Sequence, residues 1–232
     1  MNVLVQGLLF LLLLSFGALL MGTALTPGIL LVLEIARLTE GWPALGRAFA
    51  LGVSVMVGYF LYGFTLMALI VLISKLLPKP AEGEYPYFSS PSILWFLNDA
   101  ILFPASKTFI DFVPLSGINL LYYRLLGAKI GRGVQLNAQL IDCWLVEIED
   151  DVVIGGGAVI VCHVAEGGRL KLKRVKIGRG ATIGMGALIM PGVEIGEGAL
   201  IGAHSVVLSN KKIPPRTTWV GLPVRPVRRH RS

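Results

Sequence analysis

The chain has 232 residues, 54% hydrophobic and only 15% charged, with a formal net charge of +7. A typical soluble domain carries about 25% charged residues, so this composition excludes an ordinary water-surrounded globule and places the surplus apolar surface in a membrane or a very large core. The length admits a membrane segment and one domain of roughly 100 residues, but no separate large catalytic module.

Residues 3–33 contain no charged side chain. About 20 apolar residues suffice to cross a bilayer, so this stretch predicts a first membrane helix, tilted, overlong or broken near Pro27 and Gly28. A cleavable signal peptide is disfavoured, because the positive leading segment is missing and the apolar run is too long. A short polar connection around Glu34, Arg37, Glu40 and Arg47 leads to a second uncharged run, 48–73, the second expected span. Gly52, Ser54, Gly58 and Gly63 lie along it as small residues that suit close approach of a neighbouring helix. Lys75 and Lys79 follow, which by the Lys/Arg bias puts both termini and the downstream domain on the cytoplasmic side of a bacterial inner-membrane type protein.

Residues 78–91, with four prolines, read as a non-helical linker. Residues 92–126 are rich in aromatics, including Trp95 and Phe96, mixed with Asn98, Asp99 and Lys107. Breaks at Pro104 and Pro114 argue against a third straight span, so helices lying at the membrane interface or capping the following domain are expected. The predicted divisions are therefore 1–77, two membrane helices; 78–126, linker and interfacial helices; 127–223, a repeat domain; and 224–232, a basic tail.

The repeat domain carries the strongest pattern in the chain. Ile177, Ile183, Ile189, Ile195, Ile201, Val207 and Ile213 recur every six residues. That period is neither the 3.6 of a helix nor plain alternation; it is the hexapeptide spacing of a parallel β-helix, one short strand and one turn per hexad. Gly178, Gly184, Gly196 and Gly202 follow the aliphatic residue, where a tight turn favours glycine. Ala181, Ala187, Val193, Ala199 and Ser205 are small or β-branched and suit a narrow interior corner. Upstream, Ile130, Leu136, Ile148, Ile154 and Ile160 keep the phase, with Asp142 as its one polar interruption. The 17-residue step from Ile160 to Ile177 breaks the register and predicts an extruded loop with His163 at its base.

On these hexads and the closing GLPVRPVRR (221–229), the chain resembles the hexapeptide-repeat acyltransferases. The resemblance implies a left-handed parallel β-helix, so the expected fold is mixed: an N-terminal α-helical membrane hairpin plus an all-β C-terminal solenoid. More narrowly, YYRLLGAKIGRGV (122–134), LVEIEDDVVIG (145–155) and the loop after His163 resemble the membrane-bound C-terminal units of ε-poly-lysine synthetase-like peptide synthetases. Those contain three tandem units, each a pair of membrane helices with a β-helix-like domain.

His163 is the principal catalytic candidate, because an imidazole titrating near 6.5 can accept a proton from a hydroxyl or amine at neutral pH. The resemblance implies the role of general base for it. Asp142, Glu147 and Glu166 are candidate orienters of its ring, Asp142 foremost because it interrupts an aliphatic phase. Cys162 precedes His163 and so faces the other side of a strand; core filling is its better reading. His204 suits a turn or interface, and His230 belongs to the tail. The resemblance further implies a phosphopantetheine thioester donor, on coenzyme A or a carrier protein, lying in a groove between subunits of a homotrimer. Gly184, Gly186, Ala203 and Ser205 would line that groove, and Lys211, Lys212 and Arg225 would meet donor phosphates.

No metal-ligand spacing occurs among the three histidines and two cysteines. The cysteines, Cys143 and Cys162, form no disulfide framework, which points to a reducing compartment. Two basic clusters, Arg169 to Arg179 and Lys211 to Arg231, suit anionic lipid headgroups or cofactor phosphates. Nucleic acid is disfavoured because no recognition motif accompanies the charge. The expected function is membrane-bound acyl or aminoacyl transfer. The alternatives are a catalytically silent trimeric scaffold that docks a synthetase and, more remotely, a channel.

Overall fold

The structure, a computed structural model, describes residues 3–113 and 116–227. The chain forms two units, residues 1–76 with 100–113, and residues 77–99 with 114–232. The expected tail beyond Val227, including Arg228, Arg229, His230 and Arg231, lies outside the described residues.

The first unit is helical. Helices α1 (Val3–Leu38) and α2 (Ala44–Leu76) pair along their length. Their backbones meet at Gly28 and Gly58: a Cβ on Gly28 would stand 2.7 Å from the Gly58 carbonyl oxygen. Of the small residues noted in the second apolar run, Gly58 and Gly63 are used for close approach, whereas nothing lies against Gly52. Gly63 receives the ring of Phe109, which is buried and packs edge-on against Phe60 and Phe64. The Tyr59 hydroxyl donates to the Thr108 carbonyl at 2.9 Å, and Tyr62 pairs with the Thr108 hydroxyl at 2.8 Å.

Helix α3 (Ser90–Ala105) contains Pro104 without ending there. A π-helical turn, Ser106–Ile110, follows directly. Proline removes one ladder donor, and the wider turn absorbs the mismatch, so the break expected at Pro104 becomes a bulge. Pro27 likewise sits inside α1 without interrupting it. As a result three helical stretches, Leu11–Leu38, Ala44–Leu76 and Ser90–Ile110, are long and apolar enough to cross a membrane, against the two expected from sequence.

The second unit is the β-solenoid, a parallel β-helix of about five turns in the left-handed class. Numbered in chain order, strands β2 (Lys129–Ile130), β5 (Val146–Ile148), β10 (Val175–Ile177), β13 (Glu194–Ile195) and β16 (Lys212–Ile213) stack as one face. A second face holds β3 (Gln135–Leu136), β6 (Val153–Ile154), β11 (Thr182–Ile183), β14 (Leu200–Ile201), β17 (Thr218–Gly221) and β18 (Val224–Pro226). The third holds β4 (Gln139–Ile141), β7 (Val159–Val161), β12 (Leu188–Ile189) and β15 (Val206–Val207). In-register pairs such as Ile148 with Ile177 and Ile183 with Ile201 put the six-residue aliphatics inside the prism, buried from Leu136 onward, while Ile130 on the first coil is half-buried. Each such side chain contributes roughly 1.5–3 kcal/mol. The corner residues Ala181, Ala187, Val193, Ala199 and Ser205 are buried as well.

The glycines divide their work differently from the sequence expectation. The left-handed backbone angle falls on Gly180, Gly186, Gly192 and Gly198, three residues after each aliphatic, and on Asp151, His204, Asn210 and Arg216 at equivalent corners. The glycines directly after the aliphatic have another reason. A side chain at Gly184 would run into the Ala203 backbone nitrogen of the next coil, so coil-to-coil distance, not turn angle, selects glycine there.

A second difference concerns Asp142. The third-face slot of the first coil is filled by Leu140, opposite Ile160, and Asp142 follows the strand at a left-handed corner with φ 58°. Four residues separate Leu136 from Leu140 and eight separate Leu140 from Ile148. The total is two ordinary hexads, so the phase on either side conceals the slip.

The register break after Ile160 is a β-hairpin, β8 (His163–Glu166) and β9 (Arg169–Leu172), turning at Gly167 and Gly168, both at positive φ. The expected linker is partly strand: β1 (Gly83–Pro86) pairs antiparallel with β9. Helix α4 (Ser116–Leu125) lies over β2 and β3 and covers the first coil, while the antiparallel pair β17–β18 closes the last.

Candidate active site

His163 stands where the third face of the coil gives way to the hairpin. Its neighbour Cys162 alternates inward, is fully buried and gives its thiol to the Leu145 carbonyl. Burial pushes the Cys143 thiol up to about 12 and the Cys162 thiol well upward too, so neither is a ready nucleophile.

The His163 ring projects to the opposite side, where its Nδ1 lies 2.7 Å from Asp142 Oδ2. The Asp142 side chain has no exposure and His163 retains 22%. The second carboxylate oxygen, Oδ1, accepts the indole N–H of Trp95 at 2.7 Å. The Trp95 ring also leans on the imidazole, with 4.6 Å between centroids and 58° between planes. With Asp142 accepting at both oxygens, Nδ1 carries the imidazole proton and Nε2 is left as the free base. Burial lowers the affinity of His163 for a second proton, but the hydrogen bond and charge of Asp142 and the charge of Asp99 outweigh it, so its pKa is raised.

Sequence reasoning missed Trp95 and Asp99 as members of this group. They sit four residues apart on α3, one face of the helix, in a stretch whose aromatic content masked the two polar contacts. The helix start is held locally: Ser92 Oγ donates to the Pro86 carbonyl, and Asn98 Nδ2 donates to the carbonyls of Pro78 and Leu94.

The other predicted orienters lie elsewhere. Glu166 is exposed and pairs with Lys171 across the hairpin at 2.5 Å, because strand alternation turns it from the dyad. Glu147 pairs with Lys129 and Arg174. Most of the first basic cluster is likewise spent on the chain's own acids and amides: Arg169 on Glu84, Arg174 on Glu82, Arg179 on Asp150 and Lys173 on Asn210.

Of the residues expected to line a donor groove, Gly184 and Ala203 stack on adjacent coils, and Gly186 lies against the His204 ring. Ser205 points inward instead: it is fully buried and its Oγ accepts the Gly221 N–H at 3.0 Å, so it lines no surface of the single chain. Lys211 is placed over the Trp219 ring at 4.8 Å, Lys212 pairs with Glu194, and Arg225 is exposed on β18 opposite Val220. Among the described residues no three His, Cys, Asp or Glu side chains are grouped to hold a metal. A groove of about 1070 Å³ follows the first face past Lys129, Glu147, Lys176, Glu194 and Lys212 and includes neither His163 nor Asp142. Its outward side chains alternate in sign, Lys129 pairing with Glu147 and Lys212 with Glu194, whereas the dyad presents a basic ring nitrogen.

Residues 174–209 match the family model described as bacterial transferase hexapeptide (six repeats). Over 102 residues the chain is 44% identical to serine acetyltransferase 3, mitochondrial, of Arabidopsis thaliana, covering 43% of this chain and 25% of that protein. Over 101 residues it is 46% identical to a probable serine acetyltransferase 1 of Oryza sativa subsp. japonica, covering 42% of this chain and 31% of that protein. The chain thus spans about a quarter to a third of the length of these relatives. A solved maltose O-acetyltransferase from Clostridium difficile 630 superposes with a TM-score of 0.49 at 21% identity, over 63% of this chain and 91% of its own.

Proposed function

We propose that this protein is an acyltransferase of the hexapeptide-repeat type in which His163 is the general base. The acceptor hydroxyl or amine attacks the carbonyl carbon of a thioester and gives its proton to His163 Nε2. The C–S bond then breaks, and the leaving sulfur takes that proton back as a thiol. Asp142 holds the ring and stabilises the imidazolium that forms between the two steps. The observation that carries the reading is the 2.7 Å contact of Asp142 with His163 Nδ1. The similarity to serine acetyltransferases supports an acetyl donor on coenzyme A; aminoacyl transfer from carrier-bound phosphopantetheine is the finer reading suggested by the synthetase-like motifs. Gly184, Gly186 and Ala203 would admit the donor arm, and Lys211, Lys212 and Arg225 its phosphates. A second chain is needed to wall that arm in, which favours a homotrimer.

Membrane attachment through α1 and α2 is part of the same proposal, with lipid headgroups as neighbours and the solenoid on the cytoplasmic side. The pairing of β1 with β9 and the bond from Lys79 to the Leu126 carbonyl join the chain before α3 to the chain after it. That joining supports the reading of two complete spans, α1 and α2.

The test is thiol release from acetyl-coenzyme A by the purified full chain, with L-serine and simple amines as probe acceptors. Loss of release in His163→Ala with melting unchanged is the expected result. Undiminished release in that variant would remove His163 as the base, and no release from the unaltered chain with any acceptor would favour a silent scaffold.

A further inference from the structure

The dyad borrows a residue from outside the solenoid. Trp95 belongs to α3, and its indole N–H reaches Asp142 Oδ1 at 2.7 Å while its ring lies 4.6 Å from that of His163. Asp142 is fully enclosed, so an unpaired oxygen there would be costly, and no water can replace the indole without opening the site. The helix is pinned on both sides of Trp95, through Ser92 to Pro86 and through Asn98 to Pro78. An indole held in this way meets both members of the dyad.

We propose that Trp95 is a positioning residue for acyl transfer: its N–H fixes the Asp142 carboxylate, and its ring restricts imidazole rotation so that Nδ1 stays on Asp142 and Nε2 stays free. The proposal rests on the acyl-transfer reading for its kinetic consequence, but the geometry it asserts can be measured without any reaction. Trp95 removes charge density from Oδ1. Without that donor Asp142 becomes a stronger acceptor and a stronger holder of the imidazolium. The groups facing His163 are Asp142 from the corner after β4, and Trp95 and Asp99 from α3.

The experiment compares the full chain in detergent with Trp95→Phe, which keeps a ring and loses the donor, and with Trp95→Leu, which loses both. Diethyl pyrocarbonate modification of His163, followed by mass spectrometry against pH, reads the neutral fraction of the imidazole directly. In Trp95→Phe the midpoint is expected to move upward, and kcat/KM for thiol release to fall roughly tenfold or more with KM little changed. In Trp95→Leu the fall is larger. A midpoint that stays in place or moves down in a folded Trp95→Phe protein overturns the proposal. Should Trp95→Phe fail to fold, the unaltered chain still decides. Tryptophan emission, to which Trp95 contributes beside the imidazole, should change in a step at the labelling midpoint, and the step should vanish in His163→Gln; a flat emission profile overturns the proposal. Absence of thiol release from the unaltered chain would end the acyl-transfer reading while leaving the labelling result to judge Trp95 by itself.

Discussion

The Asp142 carboxylate meets the His163 imidazole at 2.7 Å although 21 positions separate them in sequence. The third-face strands β4 and β7 run side by side in register, so the residues just beyond their ends are brought to one corner. There the left-handed turn at Asp142 and the departure of the hairpin at His163 aim both side chains outward from the prism.

Replacing Asp142 with Asn keeps the shape and removes the charge. Nδ1 could then face an amide N–H, the imidazole would lose its fixed tautomer, and kcat for thiol release should fall by about a hundredfold or more. His163→Ala should cost at least as much, and the double variant should be no worse than His163→Ala, because the two act as one unit. Steady-state kinetics of the three proteins checks this.

The pH dependence follows from the raised pKa of His163. The base form exists above that pKa, so the rising limb of kcat/KM should lie above the ordinary histidine value of about 6.5. In Asp142→Asn it should move down. Stability runs the other way. A folded pKa above the unfolded one means the native state holds the proton more tightly, so the pair's contribution is complete below about pH 6.5 and is lost as pH rises through the folded value. Urea midpoints against pH, with His163→Gln as reference, should show a difference that shrinks toward alkaline pH.

Leu140, and not the position two residues later in the hexad count, fills the first-coil slot. Leu140→Ala should therefore destabilise the solenoid by about 2–5 kcal/mol, the usual range for emptying a leucine site in a core. Chemical denaturation of the full chain in detergent, followed by far-ultraviolet circular dichroism, measures it.

The two classes of glycine should respond differently. Gly180→Asn should cost little, since Asn210 takes the same left-handed angle at an equivalent corner and open space surrounds Gly180. Gly184→Ala meets the Ala203 backbone and should lower the melting temperature by several degrees, about what 1–3 kcal/mol of overpacking produces. Comparable melting of the two variants would be the contrary result.

At the α1–α2 crossing, Gly58→Leu places a large side chain against Gly28. The helices must separate, and thermal aggregation of the detergent-solubilised protein should begin at a lower temperature, whereas Gly52→Leu, facing open space, should leave it unchanged.

Much of this fold could be read from the chain. Ile177 to Ile213 state their period without interruption, and the long step from Ile160 to Ile177 announces an insertion because a solenoid cannot hide extra residues in its rungs. The slip at Leu140 was illegible, since two unequal steps sum to two regular ones. His163 and Asp142 were visible as candidates because each stands at an irregularity in a regular pattern. Trp95 was not: an aromatic residue in an apolar segment has many uses, and its meeting with Asp142 is a tertiary fact. Pro104 misled for a related reason, as a proline limits the helix only when the next turn cannot widen.

The strand Gly83–Pro86 has a practical consequence for anyone dividing the gene. It flanks the hairpin that begins at His163, and the indole that braces the dyad lies nine residues beyond its end. A recombinant fragment starting at Gly127 would keep every rung yet discard both the outer strand and the indole that bonds Asp142, leaving a tidy solenoid whose His163–Asp142 corner is unsupported; an excision that begins by Leu77 retains them.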